Sequence, residues 1–84
     1  MEWDVIEVRP VAALALRVSF ADGTVGVVKF EETHLKGVFE ALRDPALFAQ
    51  AFVDDGAVAW PGDIDLAPDA MHAAIKAKGE WVLR

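Results

Sequence analysis

Cysteine and tyrosine are absent from this chain of 84 residues, and serine occurs once, as Ser19. Without cysteine, neither a disulfide nor a cysteine-based zinc site can form, and the absence fits a reducing compartment. Ser19 has no histidine near it in sequence, so it gives no sign of an activated nucleophile. Glycine-rich phosphate loops are also missing. We therefore expect no enzymatic activity, no catalytic residues and no cofactor.

Long apolar runs and basic segments are scarce as well. No run approaches the roughly 20 residues that span a bilayer. The acidic N-terminus, Met1-Glu2-Trp3-Asp4, lacks the layout of a signal peptide, so we expect a cytoplasmic protein. Eight Lys and Arg residues face 14 Asp and Glu residues, a formal net charge of −6. This balance argues against direct binding of nucleic acid or anionic membranes, which both require a basic surface.

The length bounds the architecture to one domain over residues 1–84. A chain of this size buries only about 60–65% of its unfolded surface, so its core is small. With disulfides excluded, stability must come from good packing or from oligomerisation.

Alternation between Ala13 and Phe30 is the strongest local pattern, and Asp22-Gly23 marks a hairpin turn within it. A two-residue loop would place Lys29 on the buried face opposite Leu16. A three-residue loop with left-handed Gly23 instead pairs Phe20 with Thr24 and Leu16 with Val28. We favour this bulged register, which turns Val25 and Val27 to the opposite face, beside Arg17 and Ser19.

Other segments complete the prediction. The pattern indicates strands at 5–8, ended by Arg9-Pro10, and at 52–53 and 57–60, ended by Pro61-Gly62. Helices are expected at 35–42, at 45–49 after an Asp44 cap, and at 68–78 before Gly79, with the start of the last one frayed or capped by Asp65. The tail 80–84 either docks as a strand or meets a partner.

The predicted fold class is α+β: a small antiparallel sheet of four or five strands, with two helices packed on one face. The predicted core comprises Leu14, Leu16, Val18, Phe20, Val28, Phe30, Phe39, Leu42, Phe48, Val58, Trp60 and Ile75.

An ordered set of short motifs resembles a known family. The set comprises Phe20-Ala21-Asp22-Gly23, Gly37-Val38-Phe39, Leu42-Arg43-Asp44-Pro45 with Phe48, Val53-Asp54, Trp60-Pro61 and Asp65-Leu66-Ala67-Pro68-Asp69. From Trp3 to Ala74 the chain resembles the bacterial family called domain of unknown function 2442 (DUF2442). The resemblance implies an α+β fold of a small antiparallel sheet with two helices, and it implies no activity.

The same resemblance raises a regulatory alternative. In some family members, a domain that resembles this one is fused to a C-terminal helix-turn-helix. In others, it is encoded beside a second small domain. This chain is expected to end too early to contain the DNA-binding unit. One position departs from the family pattern, since Asp63 stands where a glycine is usual and Gly62 comes one place earlier.

Carboxylates are densest at Asp54, Asp55, Asp63, Asp65 and Asp69. A divalent metal site would use such oxygens, but the spacing does not match a calcium loop. Turn formation and helix capping explain them better, so we predict no metal site. With only His34 and His72 in the chain, a closed zinc site would need carboxylate ligands too.

Three tryptophans remain. Trp60 is expected in the core, within a structural loop formed by Trp60, Pro61, Asp63 and Asp65. Trp3 and Trp81 are equally consistent with packing and with partner binding. Val25, Val27, Trp3, Trp81 and Leu83 are the candidate interaction residues.

The leading hypothesis is an accessory module that binds a protein partner or a second copy of itself. The alternatives are a metal-dependent hydrolase using Asp63, Asp65 and a histidine, and a transcription-associated accessory domain.

Overall fold

Seven strands form two sheets in residues 3–84, the part of the chain that this computed structural model describes. Met1 and Glu2, which begin the acidic N-terminus, lie outside the described residues. The elements in chain order are β1 (Val5–Ala12), β2 (Ala15–Phe20), β3 (Val25–Phe30), 3₁₀ segments at Glu32–His34 and Gly37–Arg43, α1 (Pro45–Phe48), β4 (Phe52–Asp54), β5 (Ala57–Trp60), β6 (Ile64–Leu66), α2 (Pro68–Lys78) and β7 (Glu80–Leu83).

The fold is α+β, but the strands do not form the single antiparallel sheet that the pattern predicted. One sheet has the order β1-β2-β3-β7 and the other the order β4-β5-β6. Strand β7 runs parallel to β3, whereas every other pairing is antiparallel. Strand β6 was not predicted, because its three residues follow the Pro61-Gly62 stop too closely to show a period of two.

The β2–β3 hairpin has the bulged register that the alternation predicted. Leu16 lies opposite Val28, and the amide of Phe20 donates to the carbonyl of Thr24 at 2.8 Å. Gly23 has φ 90°, a conformation that side chains disfavour, so the three-residue loop depends on this glycine. Lys29 is exposed and Leu16 is fully buried.

The prediction that Arg9-Pro10 ends the first strand was wrong. Strand β1 continues to Ala12 with an irregularity after Pro10. It lies at the edge of its sheet, where a missing N–H interrupts no ladder. A two-residue turn then connects it to β2, and Leu14 takes a left-handed φ of 59° there while packing against the core.

The predicted helix at 35–42 was also wrong. A 3₁₀ segment at Gly37–Arg43 occupies most of this region, and it begins at Gly37, whose φ is 57°. Only Leu35 and Leu42 of the predicted apolar stripe are buried, while Val38 is 70% exposed. The spacing of Val38 from Leu35 and Leu42 therefore does not reflect a shared buried helix face.

Both α-helices begin and end close to the predicted residues. The Asp44 carboxylate accepts from the amide of Ala46 at the start of α1. Helix α2 starts at Pro68 without a side-chain cap, so Asp65 does not cap it. It ends at Gly79, whose left-handed backbone donates to the carbonyl of Ile75 at 2.6 Å. No helix among residues 3–84 has the length and apolar character to cross a membrane.

One core joins the two sheets and α2. Every predicted core residue is buried except Leu14 and Phe39, which are half-buried and pack against the rest. The core also takes in Val5, Leu35, Ile64, Leu66, Met71 and Leu83. Trp60 lies at its centre, 1% exposed, and its indole N–H donates to the carbonyl of Phe48 at 3.0 Å. This bond satisfies the one polar atom of a ring that is otherwise packed among apolar groups.

Candidate interaction surface

The four-stranded sheet has one face turned away from the core. Apart from Ala12 and Ala15, strand alternation and register place nine residues on this outer face: Glu7, Arg9, Arg17, Ser19, Val25, Val27, Lys29, Glu80 and Val82. The opposite face carries Leu16, Val18, Phe20, Val28 and Phe30, which pack in the core with α2 and the second sheet. Among residues 3–84, the packing elements therefore lie on the core side.

Branched apolar side chains are displayed on the outer face. Val25 is 44% exposed, and Val27 beside it is half-buried. Both were predicted as interaction residues, and the register places them opposite Ser19 and Arg17, as expected. Val82, which was not predicted, joins them through the parallel pairing of β7 with Lys29 on β3. The sequence could not place Val82 on this face, because the pairing of β7 with β3 joins strands that are far apart in the chain.

Charged side chains surround these valines. Lys29 and Glu80 are 3.6 Å apart, and Arg9 and Glu7 are 3.8 Å apart, all well exposed. Arg17 forms no ion pair with another residue of the described chain. The outer face therefore combines exposed apolar surface with an arginine that has no carboxylate partner there.

The remaining predicted interaction residues are not on this face. Trp81 lies in register with Val28 and packs against the core, and Leu83 is 9% exposed within it. The tail thus docks as strand β7, the first of the two alternatives considered, and Leu83 offers no surface to a partner. Trp3 is 38% exposed and precedes β1 at the end of the sheet.

The predicted structural loop at Trp60, Pro61, Asp63 and Asp65 forms the β5–β6 turn. Trp60 pairs with Ile64, so three residues connect the strands. Gly62 has φ 94° and Asp63 has φ 63°. The Asp63 backbone is therefore left-handed, a conformation that glycine adopts freely and that aspartate tolerates better than most residues.

The acidic residues do not assemble into a metal centre. Within residues 3–84, no three side chains of the His, Cys, Asp and Glu types lie close enough together to hold a metal ion. Asp54, Asp63 and Asp65 border one shallow depression beside Trp60, and His72 lies elsewhere, on α2. The ligand set that the hydrolase alternative requires is thus not brought together.

Each histidine has structural contacts. His72 Nε2 lies 2.8 Å from a carboxylate oxygen of Asp22, and its ring meets Phe20 edge-on. The contact ties α2 to the β2–β3 turn. The amide of Thr24, together with the His72 side chain, lowers the pKa of Asp22 far below its ordinary value. The rings of His34 and Phe39 contact each other at a tilt of 39°, and His34 Nδ1 lies 3.3 Å from the Arg84 carbonyl oxygen.

A mainly apolar groove of about 530 Å³ lies at the β1–β2 turn, within the usual size range of ligand pockets. Leu35, Leu42 and Phe48 line it beside strained Leu14. Its arginine, Arg43, already donates to the carbonyls of Leu35 and Glu32, both at 3.1 Å. Glu32 is the other charged residue among the described lining residues, so the groove offers few polar groups to orient a small ligand, and the outer face is the better candidate.

Comparison with known proteins identifies a family for this chain. A family model described as "Protein of unknown function (DUF2442)" matches residues 5–77, most of the chain. The chain belongs to the DUF2442 family. No curated protein and no solved structure matches it significantly.

The DUF2442 match covers both sheets except β7, which lies beyond the matched residues and completes the four-stranded sheet. The departure at Asp63 also has a structural meaning. Asp63, with φ 63°, occupies the position at which the family resemblance leads us to expect glycine, and this left-handed backbone is one that glycine adopts freely.

Proposed function

We propose that this DUF2442 chain is a non-enzymatic module that binds a protein partner on the outer face of its four-stranded sheet. The observation that carries the proposal is that exposed Val25 and half-buried Val27 lie side by side on a face that no other described element covers. Exposed apolar side chains grouped on one surface are typical of interaction sites. The valines lie on a central strand, so a partner would contact a rigid surface.

Paired variants can test this role. We expect the double substitution Val25→Thr, Val27→Thr to abolish capture of a partner from the native host, because it removes apolar contact area while keeping β-branched side chains. Val38→Thr is the matched control, since Val38 is exposed outside both sheets. A partner retained by the wild type and the Val38 variant, and lost with the double variant, should then be purified and its binding reconstituted.

Two results would contradict the proposal. One is a reconstituted partner that binds the double variant as tightly as the wild type while circular dichroism shows both to be folded. The other is that neither the wild type nor the Val38 variant retains any protein. Sedimentation of the same variants over a range of concentrations examines self-association in parallel.

A further inference from the structure

Positive charge is concentrated on the outer face of an otherwise acidic chain. The face has three cations, Arg9, Arg17 and Lys29, and two carboxylates, Glu7 and Glu80, which give a net charge of +1. The whole chain carries −6, so the remainder carries −7. An anionic group is therefore repelled less at this face, which also displays the valines, than at the rest of the chain's surface.

Two of these cations are placed unfavourably for the isolated chain. Arg9 on β1 lies directly opposite Arg17 on β2. Like charges directly opposite each other on adjacent strands destabilise a sheet. Glu7 approaches Arg9 at 3.8 Å in an exposed pair, which offsets little of this repulsion. No described carboxylate pairs with Arg17, so the arrangement lowers stability without serving a contact inside residues 3–84.

Building on the interaction role above, we propose that the partner is an acidic polypeptide segment whose carboxylates lie between Arg9 and Arg17. Each guanidinium offers several N–H donors in a planar arrangement that matches a carboxylate. Arg17 pairs across the strands with Val27, so acidic and apolar side chains of one segment find their contacts next to each other. Binding would replace the arginine repulsion by two attractions.

A second copy of the chain fits this surface less well. Symmetric dimers use the same surface on both subunits, and two outer faces, each with three cations and two carboxylates, would leave an excess of positive charge in the interface. Nucleic acid fits less well too, because its closely spaced phosphates require several cations and this face has three, interspersed with two carboxylates. A polypeptide that mixes carboxylates with apolar residues meets both features.

Nuclear magnetic resonance titration of the full chain tests the partner chemistry directly. The probe is a short synthetic peptide that alternates Glu and Val, and the comparison peptide alternates Lys and Val. We expect the acidic peptide to shift the amide signals of residues 15–19, 25–29 and 80–82, and the basic peptide to leave them in place. Arg17→Glu should weaken binding of the acidic peptide by about tenfold or more. Lys36→Glu, the same charge change on an exposed residue outside the sheets, should change affinity by less than about twofold.

Distinct results would overturn the proposal. Equal binding of the acidic peptide to the wild type and the Arg17→Glu chain would refute the role of Arg17. Shifts of the same amides by a DNA duplex and not by the acidic peptide would favour nucleic acid. A concentration-dependent dimer that Arg17→Glu dissociates would make a second copy the occupant. Failure of the acidic peptide, with the valine variants still losing their partner, would refute the partner chemistry and leave the interaction role standing.

Discussion

Gly26 is the position where one added carbon should disturb the tertiary structure most directly. It lies on β3, between the two valines of the outer face, and the hydrogen that a side chain would replace points toward α2. A methyl group there would overlap Cγ2 of Ile75 and would lie 2.6 Å from the carbonyl oxygen of Gly79. Carbon contacts become favourable only near ~3.5 Å, so the end of α2 would have to move away from the sheet.

The expected cost of Gly26→Ala combines three effects. Overpacking a well-packed core costs about 1–3 kcal/mol. The Gly79 carbonyl accepts from the amide of Val27 at 3.3 Å, and moving it would forfeit a bond that contributes about 1 kcal/mol. Alanine also gives the unfolded chain less conformational entropy than glycine does, and this offsets about 0.4–1 kcal/mol of the lost stability. The net loss of stability is about 2 kcal/mol, which lowers Tm by roughly 8–16 °C for a domain of this size.

Urea denaturation of the Gly26→Ala, Ile75→Ala and double variants measures this loss. Ile75→Ala alone should cost about 2–5 kcal/mol. In the double variant the alanine methyl at position 26 occupies part of the space that Ile75 leaves, so the two losses should fall short of additivity by about 0.5 kcal/mol or more. A Gly26→Ala chain as stable as the wild type, or strictly additive losses, would refute the close approach of α2 to β3.

Three further expectations follow from particular contacts. Trp60→Phe should cost about 2–3 kcal/mol in urea denaturation, because the Phe48 carbonyl loses its 3.0 Å donor and the smaller ring leaves a cavity; an unchanged midpoint would contradict this. The Thr24 amide, and to a smaller extent His72, lower the pKa of Asp22 in the folded state. The charged carboxylate therefore adds to the free energy of unfolding in full above about pH 4, and this stabilisation is lost as the pH falls through the lowered pKa. The gap in stability between the wild type and Asp22→Asn should thus narrow below about pH 4, and a gap independent of pH would argue against the charged contact. Arg17→Thr should stabilise the chain by about 0.2–1 kcal/mol at low salt by removing the repulsion with Arg9, and the gain should shrink in high salt; a loss of stability at low salt would show that the arginines do not repel.

Local side-chain alternation determined the β2–β3 hairpin. Only the bulged register keeps Lys29 in solvent and Leu16 inside, and a slip by one residue would have reversed every side chain. The same reasoning located the Val25 and Val27 surface. The two ends of helix α2 could also be predicted, from Pro68 and Gly79. A first-turn proline and a left-handed glycine determine the backbone conformation of the residues next to them.

The spacing of apolar residues around Val38 led to the wrong prediction of an α-helix, because a spacing of three or four residues suits both an α-helix and the tighter turns of a 3₁₀ segment. The end of β1 was mispredicted for a different reason. Pro10 ends a strand only where its missing N–H would face a neighbouring strand, and β1 lies at the edge of its sheet.

Pairing between distant strands was decided only by the tertiary structure. The amino-acid sequence limited the tail to a strand or a partner contact, and the left-handed Gly79 then directs it along β3, where Trp81 and Leu83 meet the core. The alignment of Arg9 with Arg17 likewise depends on the β1–β2 register after a positive-φ leucine. Neighbouring residues settle which way a side chain points along a strand, but the residue it faces depends on the free energy of burying distant parts of the chain together.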